Sequence, residues 1–263
     1  MNRGTKEGTI EEIELVKLLN NKSQSAKFWQ ILKLDKENHF AVHVIKHQLA
    51  RVQGKMIKPK ADIYIAKGFI NNSDLESRGY LLNEDDIEKY KLTKVERTGI
   101  SVKMRDSKKY QILKTGPEAF RKIFGSYELG AAASLYCLRK TELKKNKAVL
   151  IGWKTNKKKF IDFYIKKFAD VSELFDDAVK EDKKIVIAKK IKNNATSSIY
   201  EIISKDKKIA DYVFKGVGNF DEPFTAYWIF EADKFRKLVP YDFRVTTGSG
   251  RSKGDFTIVI KPK

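Results

Sequence analysis

Lys58-Pro59-Lys60-Ala61-Asp62-Ile63-Tyr64-Ile65 reads as a turn that feeds a strand, because Pro59 fixes its own φ and Ile63 and Ile65 alternate with Tyr64. Thr98-Gly99-Ile100-Ser101-Val102-Lys103 follows later as a glycine before a second short β-prone run. If the two runs pair antiparallel, the acid at the head of one meets the lysine inside the other on one sheet face. Such a pair can hold a divalent metal and steady a nucleophilic water beside a phosphate. In a chain with 54 Lys and Arg among 263 residues, an acid or serine two places before a lysine also arises by chance. Asp106-Ser107-Lys108 and Glu142-Leu143-Lys144 are two such cases, one in a polar turn and one on a lysine-rich helix, and both lack the strand context.

The length suits one large domain or two small ones, and 41% hydrophobic with 11% aromatic residues is enough to build a core. Charge is the outlying property. Fifty-four basic against 34 acidic residues leave +20, an excess that favours a polyanionic partner, most commonly nucleic acid. A membrane surface is the rival polyanion, but no basic amphipathic helix with exposed Trp or Phe is evident for insertion. No apolar run reaches spanning length and the N-terminus is polar and Glu-rich, so the expectation is a cytoplasmic protein with no membrane partner. Cys137, alone and within the apolar run Ala131 to Leu138, reads as a buried core thiol.

Residues 9 to 20 read as a helix whose Leu15, Val16 and Leu19 share a face, with Glu12 between Val16 and Leu19. A carboxylate on that stripe needs a partner or a metal; equally, Thr9 and Glu12 have capping-box spacing. Strands are expected at His39 to Lys46, from Asp62, at Lys94 to Met104 and at Tyr110 to Leu113, with a short helix at Glu84 to Tyr90. The three histidines, His39, His43 and His47, read as structural in a strand context. Helices are expected at 117 to 124, with Pro117 in the first turn, and at 127 to 145, where the small-residue run from Gly130 to Ala133 would pack closely on a sheet. Arg139 to Lys167 holds eleven basic and two acidic residues, with Phe160, Phe163, Tyr164 and Phe168 interleaved. It reads as a core helix with a solvated basic face that can touch phosphate. Residues 171 to 193 read as a helix, 193 to 198 as a loop, and Ile199 to Ser204, Tyr212 to Lys215, Ala226 to Glu231 and Phe256 to Ile260 as strands.

Glu12, Asp62, Ser101 and Lys103 together resemble the PD-(D/E)xK nuclease superfamily, and among its members the type II restriction endonucleases. In that superfamily a helix packs on a mixed sheet whose second and third strands carry the motif. Pro59 to Asp62 stands for the proline-acid element with two residues intervening, and Ser101-Val102-Lys103 for the (D/E)xK element, with Ser101 where the second acid belongs. The resemblance covers roughly residues 5 to 115. It implies an α/β (mixed) fold, a central mixed β-sheet flanked by helices, restriction-endonuclease-like. It also implies one nuclease domain, 1–263, with a catalytic core at about 5–145 and a C-terminal part, about 146–263, contributing DNA recognition. The cofactor implied is Mg²⁺, held by Asp62 with the Ser101 hydroxyl or the Val102 carbonyl, and Glu12 acting through water. Lys103 would orient or help deprotonate the attacking water, or contact phosphate.

The expected partner is double-stranded DNA, cut at a specific sequence, and a homodimer is one possible assembly. The basic connection with Lys55, Lys58 and Lys60 would contact phosphate. The loop from Phe243 to Asp255 would read bases through Arg244, Thr246, Thr247, Ser249, Arg251, Ser252 and Lys253, arginine being well shaped to grip a guanine edge. An ordinary glycine hairpin accounts for the same loop equally well. Two rival functions stay open: a DNA-binding protein without catalysis, and a repair or junction nuclease of the same superfamily. An RNA-associated protein is disfavoured, since no stacking motif of the RRM kind is present.

Overall fold

The structure, a computed structural model, describes residues 3–45, 59–103, 110–138, 140–247 and 256–263. In chain order the first elements are α1 (Arg3–Asn20), α2 (Ala26–Leu32), β1 (His39–His43), β2 (Ile63–Lys67), α3 (Asn72–Ser77), α4 (Glu84–Lys89), β3 (Thr93–Lys94) and β4 (Ile100–Lys103). There follow β5 (Leu113–Thr115), α5 (Pro117–Phe124), α6 (Tyr127–Ala133), α7 (Lys140–Leu143), α8 (Asn146–Gly152) and α9 (Lys157–Tyr164). A 3₁₀ turn at Val171–Phe175 leads to α10 (Glu181–Lys205) and α11 (Lys207–Lys215). The chain closes with β6 (Trp228–Glu231), β7 (Lys234–Lys237), β8 (Phe243–Thr247) and β9 (Ile258–Pro262).

These elements form two units that interleave along the chain: 1–108 with 211–240, and 109–210 with 241–263. The first is built on a mixed sheet in the order β1-β2-β4-β6-β7, with β3 added to β2. β2 pairs antiparallel with β1 on one side and with β4 on the other, β4 and β6 run parallel, and β6 turns back into β7. β2 is buried on both faces, Ile63 and Ile65 on one and Tyr64 and Ala66 on the other, so its alternation is apolar throughout. Leu15, Val16 and Leu19 of α1 join Trp29, Phe40, Val42, Ile65 and Ile100 in the core, each contributing roughly 1.5–3 kcal/mol by leaving water. On the side of β1 away from β2, the Asn20 amide accepts from Ala41 N (2.7 Å) and donates to Ala41 O (3.0 Å), and His43 N donates to Tyr80 O. These bonds satisfy Ala41 and the His43 N–H on the outer side of β1.

The second unit carries a three-stranded antiparallel sheet, β5-β9-β8, and a helical layer centred on α10. The small residues of α6 pack on α10 and not on a sheet, and Gly130 lies flat against the Trp153 ring, which a Cβ would meet at 2.2 Å. Cys137 is buried, as expected. This unit holds most of the charge excess: 29 Lys and Arg against 14 Asp and Glu, compared with 25 against 20 in the first unit.

Several expected elements come out differently. The helix expected over 127 to 145 stops at Ala133, because the Asn146 side chain takes over the backbone of Tyr136, accepting from its N–H (2.7 Å) and donating to its C=O (3.1 Å). The helix expected from 171 is a 3₁₀ turn, with α10 starting at Glu181. The loop expected at 193 to 198 and the strand at 199 to 204 both lie inside α10, whose Ile187, Ile191, Ala195, Ile199 and Ile203 form one buried stripe. Thr196 Oγ1 hydrogen-bonds back to Lys192 O (3.0 Å) and Asn193 O (2.9 Å), which removes the polar side chain's competition with the helix. Tyr212 to Lys215 is the end of α11. The long strand expected from Lys94 is divided into β3 and β4, and the Thr98 hydroxyl bridges the gap by accepting from Ile65 N and donating to Val95 O. Among the described residues no helix is long and apolar enough to cross a membrane.

Candidate active site

The backbone around Asp62 is held on three sides. Lys60 N and Ala61 N donate to Phe224 O, Asp62 N donates to Ile100 O (2.8 Å), and Asp62 O accepts from Val44 N (2.9 Å). β4 is held by β2 on one side through the Ile63–Ile100 pair and by β6 on the other, with Ile100 to Lys103 matched to Trp228 to Glu231. At the start of β4, Gly99 O accepts from both Tyr227 N and Trp228 N. A Cβ on Gly99 would lie 1.9 Å from Thr225 O, so only glycine lets the two backbones meet there.

This framework brings Asp62, Ser101, Val102 and Lys103 together. Asp62 Oδ2 accepts from the Val102 N–H (2.8 Å) and from Ser101 Oγ (3.2 Å). Lys103 Nζ donates to Ser101 Oγ (2.6 Å) and to Val102 O (3.3 Å). Ser101 is buried, while Val102 and Lys103 are half-buried. The result is a continuous chain of hydrogen bonds from carboxylate to hydroxyl to ammonium at the junction of two strands.

Lys60 is placed inward. Its ammonium donates to Val213 O (3.0 Å) near the end of α11, where a helix terminus favours positive charge. Burial pulls its pKa down to about 7, and the charge of Lys103 pulls the same way while Asp62 opposes. A lysine expected from its sequence context to face phosphate is thus part of the packing beside Asp62.

Glu12 does not cap a helix start, since α1 begins at Arg3 and Thr9 lies within it. Its Oε2 lies 2.9 Å from His43 Nε2, and His43 is buried and sits across from Ile63, the residue after Asp62. His43 is the group that motif reasoning passed over. Its signal was a titratable side chain amid the apolar run Phe40 to Val44.

In the second unit Arg244, Thr246 and Thr247 lie on β8, paired with β9 in an antiparallel hairpin. Arg244 is exposed, and Thr246 Oγ1 is committed to Val259 O (3.1 Å). Lys55, Lys58, Ser249, Arg251, Ser252 and Lys253 lie outside the described residues.

Among the described residues no group of three or more His, Cys, Asp or Glu side chains could hold a metal ion. The oxygens gathered at Asp62 are one carboxylate, one hydroxyl and one carbonyl. Hard, neutral-to-anionic oxygen donors of this kind match Mg²⁺ in type. The Lys103 ammonium already bonds two of them, so these lone pairs accept a cation in the folded chain. Compared with profiles of known protein families and with curated proteins, the sequence matches none.

Proposed function

We propose that this chain is a Mg²⁺-dependent, sequence-specific endonuclease of double-stranded DNA. In this reading it is a restriction-endonuclease-like member of the PD-(D/E)xK superfamily, acting in the cytoplasm. The observation that carries the reading is the hydrogen-bonded set formed by Asp62, at the head of β2, with Ser101, Val102 and Lys103 of the adjacent β4 in a mixed sheet, with α1 packed against β1 of that sheet.

Asp62, Ser101 Oγ and Val102 O are the ligands that would hold Mg²⁺, which when bound supplies a water of lowered pKa and offsets charge on the scissile phosphate. The Val102 N–H fixes one carboxylate oxygen of Asp62 and so sets the direction of the other. Lys103 Nζ lies in reach of the Ser101 hydroxyl and is the group to donate to a phosphate oxygen or to hold the attacking water. Lys60, its pKa lowered by burial, lies beside Asp62, and His43 holds the Glu12 carboxylate beside β1. The second unit's charge excess supplies affinity for the duplex.

The test is incubation of the purified protein with bacteriophage DNA and Mg²⁺. Discrete fragments are expected, and a smear would indicate a nonspecific nuclease. Asp62→Ala and Lys103→Ala are each expected to abolish cleavage while leaving DNA binding largely intact, since affinity rests on phosphate contacts elsewhere. Near wild-type cutting by Asp62→Ala overturns the site.

A second reading, a DNA-binding protein that does not cleave, has one observation in its favour. The Lys103 ammonium itself bonds two of the three oxygens that a metal would use. Retained DNA binding with no cleavage by the wild-type protein at any Mg²⁺ concentration selects it.

A further inference from the structure

The charge of the second unit is unevenly compensated. Lys140, Lys154, Lys183 and Lys205 are ion-paired with Asp182, Glu118, Glu173 and Glu201. On α9 and the turn after it, Lys157, Lys158, Lys159, Lys166 and Lys167 are all exposed, and none is ion-paired with an acid among the described residues. Asp162 is the one acid in this segment. The helix is anchored from beneath by Phe160 and Tyr164, both buried, with the Phe160 ring edge-on to Phe175 at 5.8 Å. Its start is capped by Asn156, whose side chain accepts from Lys159 N (3.0 Å).

Phe163 breaks the pattern. It is 48% exposed, although the rings on either side of its turn are in the core. The helical turn runs on past Tyr164, whose carbonyl accepts from Phe168 N (2.8 Å). Residues at i−4, i+3 and i+4 therefore flank it, and these are Lys159, Lys166 and Lys167. An exposed aromatic ring set among exposed ammonium groups, of which Lys159 also acts on the Glu128 carboxylate, has two complementary features: a flat apolar face and a phosphate-attracting rim. Nucleic acid with unstacked bases offers both partners. A lipid surface also carries anions, but one phenylalanine and Ile165 on so short a helix offer little apolar area for insertion.

We propose that α9 and the turn that follows it form a binding surface for single-stranded nucleic acid, with the lysines on phosphates and Phe163 stacked on a base. This surface shares the nucleic-acid partner of the proposed function but does not depend on the Asp62 site. Its test uses the full chain in EDTA, where cleavage plays no part. Binding of a fluorescent 20-residue thymidine oligonucleotide is compared with binding of the same backbone made abasic. Phe163→Ala is expected to weaken binding to the base-bearing strand on the order of tenfold and to leave abasic binding unchanged, with Phe163→Trp restoring the loss. Lys158→Gln with Lys166→Gln is expected to weaken both, and to flatten the salt dependence by about 0.7 of a slope unit per lost contact. Equal loss on both strands for Phe163→Ala, no loss on either, or an effect confined to phosphatidylserine vesicles each overturns the proposal. Because Phe163→Trp keeps the ring, a folding defect in Phe163→Ala does not leave the question open: unchanged base preference in a folded Phe163→Lys variant also overturns it.

Discussion

Glu128 gives this fold one pH-dependent contribution. Burial pushes its carboxyl up, but the Thr155 hydroxyl at 2.7 Å and Ser126 Oγ at 2.9 Å favour the charged form, and the net effect holds it below its ordinary value of 4.5. The folded carboxyl thus binds a proton less readily than the unfolded one. Its stabilisation is complete above pH 4.5 and is lost as pH falls through the lower folded value. Thr155→Val is expected to cost about 1 kcal/mol at pH 7, the half-exposed carboxylate being partly screened. Urea melts of wild type and variant should converge as the pH is lowered past that window. A constant difference down to pH 2–3 would assign the effect to packing of Thr155 and not to the charge of Glu128.

Strand β4 is the element on which the candidate site hangs, and its position depends on one glycine. Gly99 sits where the 223–225 segment crosses the start of the strand, within 2.9 Å of two of its carbonyl oxygens if given a Cβ. Backbone carbonyls cannot rotate away as a flexible side chain can, so Gly99→Ala must displace β4 or the segment that feeds β6. The expected cost is roughly 1–3 kcal/mol, as for overpacking generally. Since Ser101 and Lys103 ride on β4, the proposed cleavage should fall more than stability alone accounts for when assayed well below the melting temperature. Unchanged denaturation midpoint and activity would show that the crossing has slack. α10 teaches a complementary lesson. Asn193 to Ser198 has poor intrinsic helix propensity, some tenths of a kcal/mol per residue, yet burying Ala195, Ile199 and Ile203 outweighs it.

At the scale of the whole chain, the two units exchange segments, so neither is a continuous stretch. The last segment, 241–263, supplies β8 and β9, and β9 is the strand on which β5 pairs. A chain ended after Pro240 leaves β5 without its sheet and removes Phe243 from its stack on Tyr200, 4.6 Å between ring centroids. Such a chain is expected to lose the cooperative melting of the second unit's helices in circular dichroism. Full helical signal with an unchanged transition would mean that the unit's helical layer folds without its sheet. The charge distribution belongs to this scale too. The candidate site sits in the nearly balanced unit and most of the basic excess in the other, a distribution that total composition does not show.

What the sequence determined by itself was local. Proline before an acid, alternation at Ile63 to Ile65, and a Gly-Ile-Ser-Val-Lys run were enough to place Asp62 at the head of one strand and Ser101 and Lys103 on its neighbour, because strand periodicity acts over a few residues. Helix 117 to 124, with its proline at the start and Gly125 at its end, was legible for the same reason. Only the tertiary structure decided that β6, more than a hundred residues downstream, lies parallel to β4. It also decided that Glu12 meets His43, that Lys60 turns inward, and that Ile199 to Ser204 is helix. Those outcomes depend on which distant surfaces bury one another, and the apolar area removed from water at such contacts outweighs propensities that short stretches carry alone.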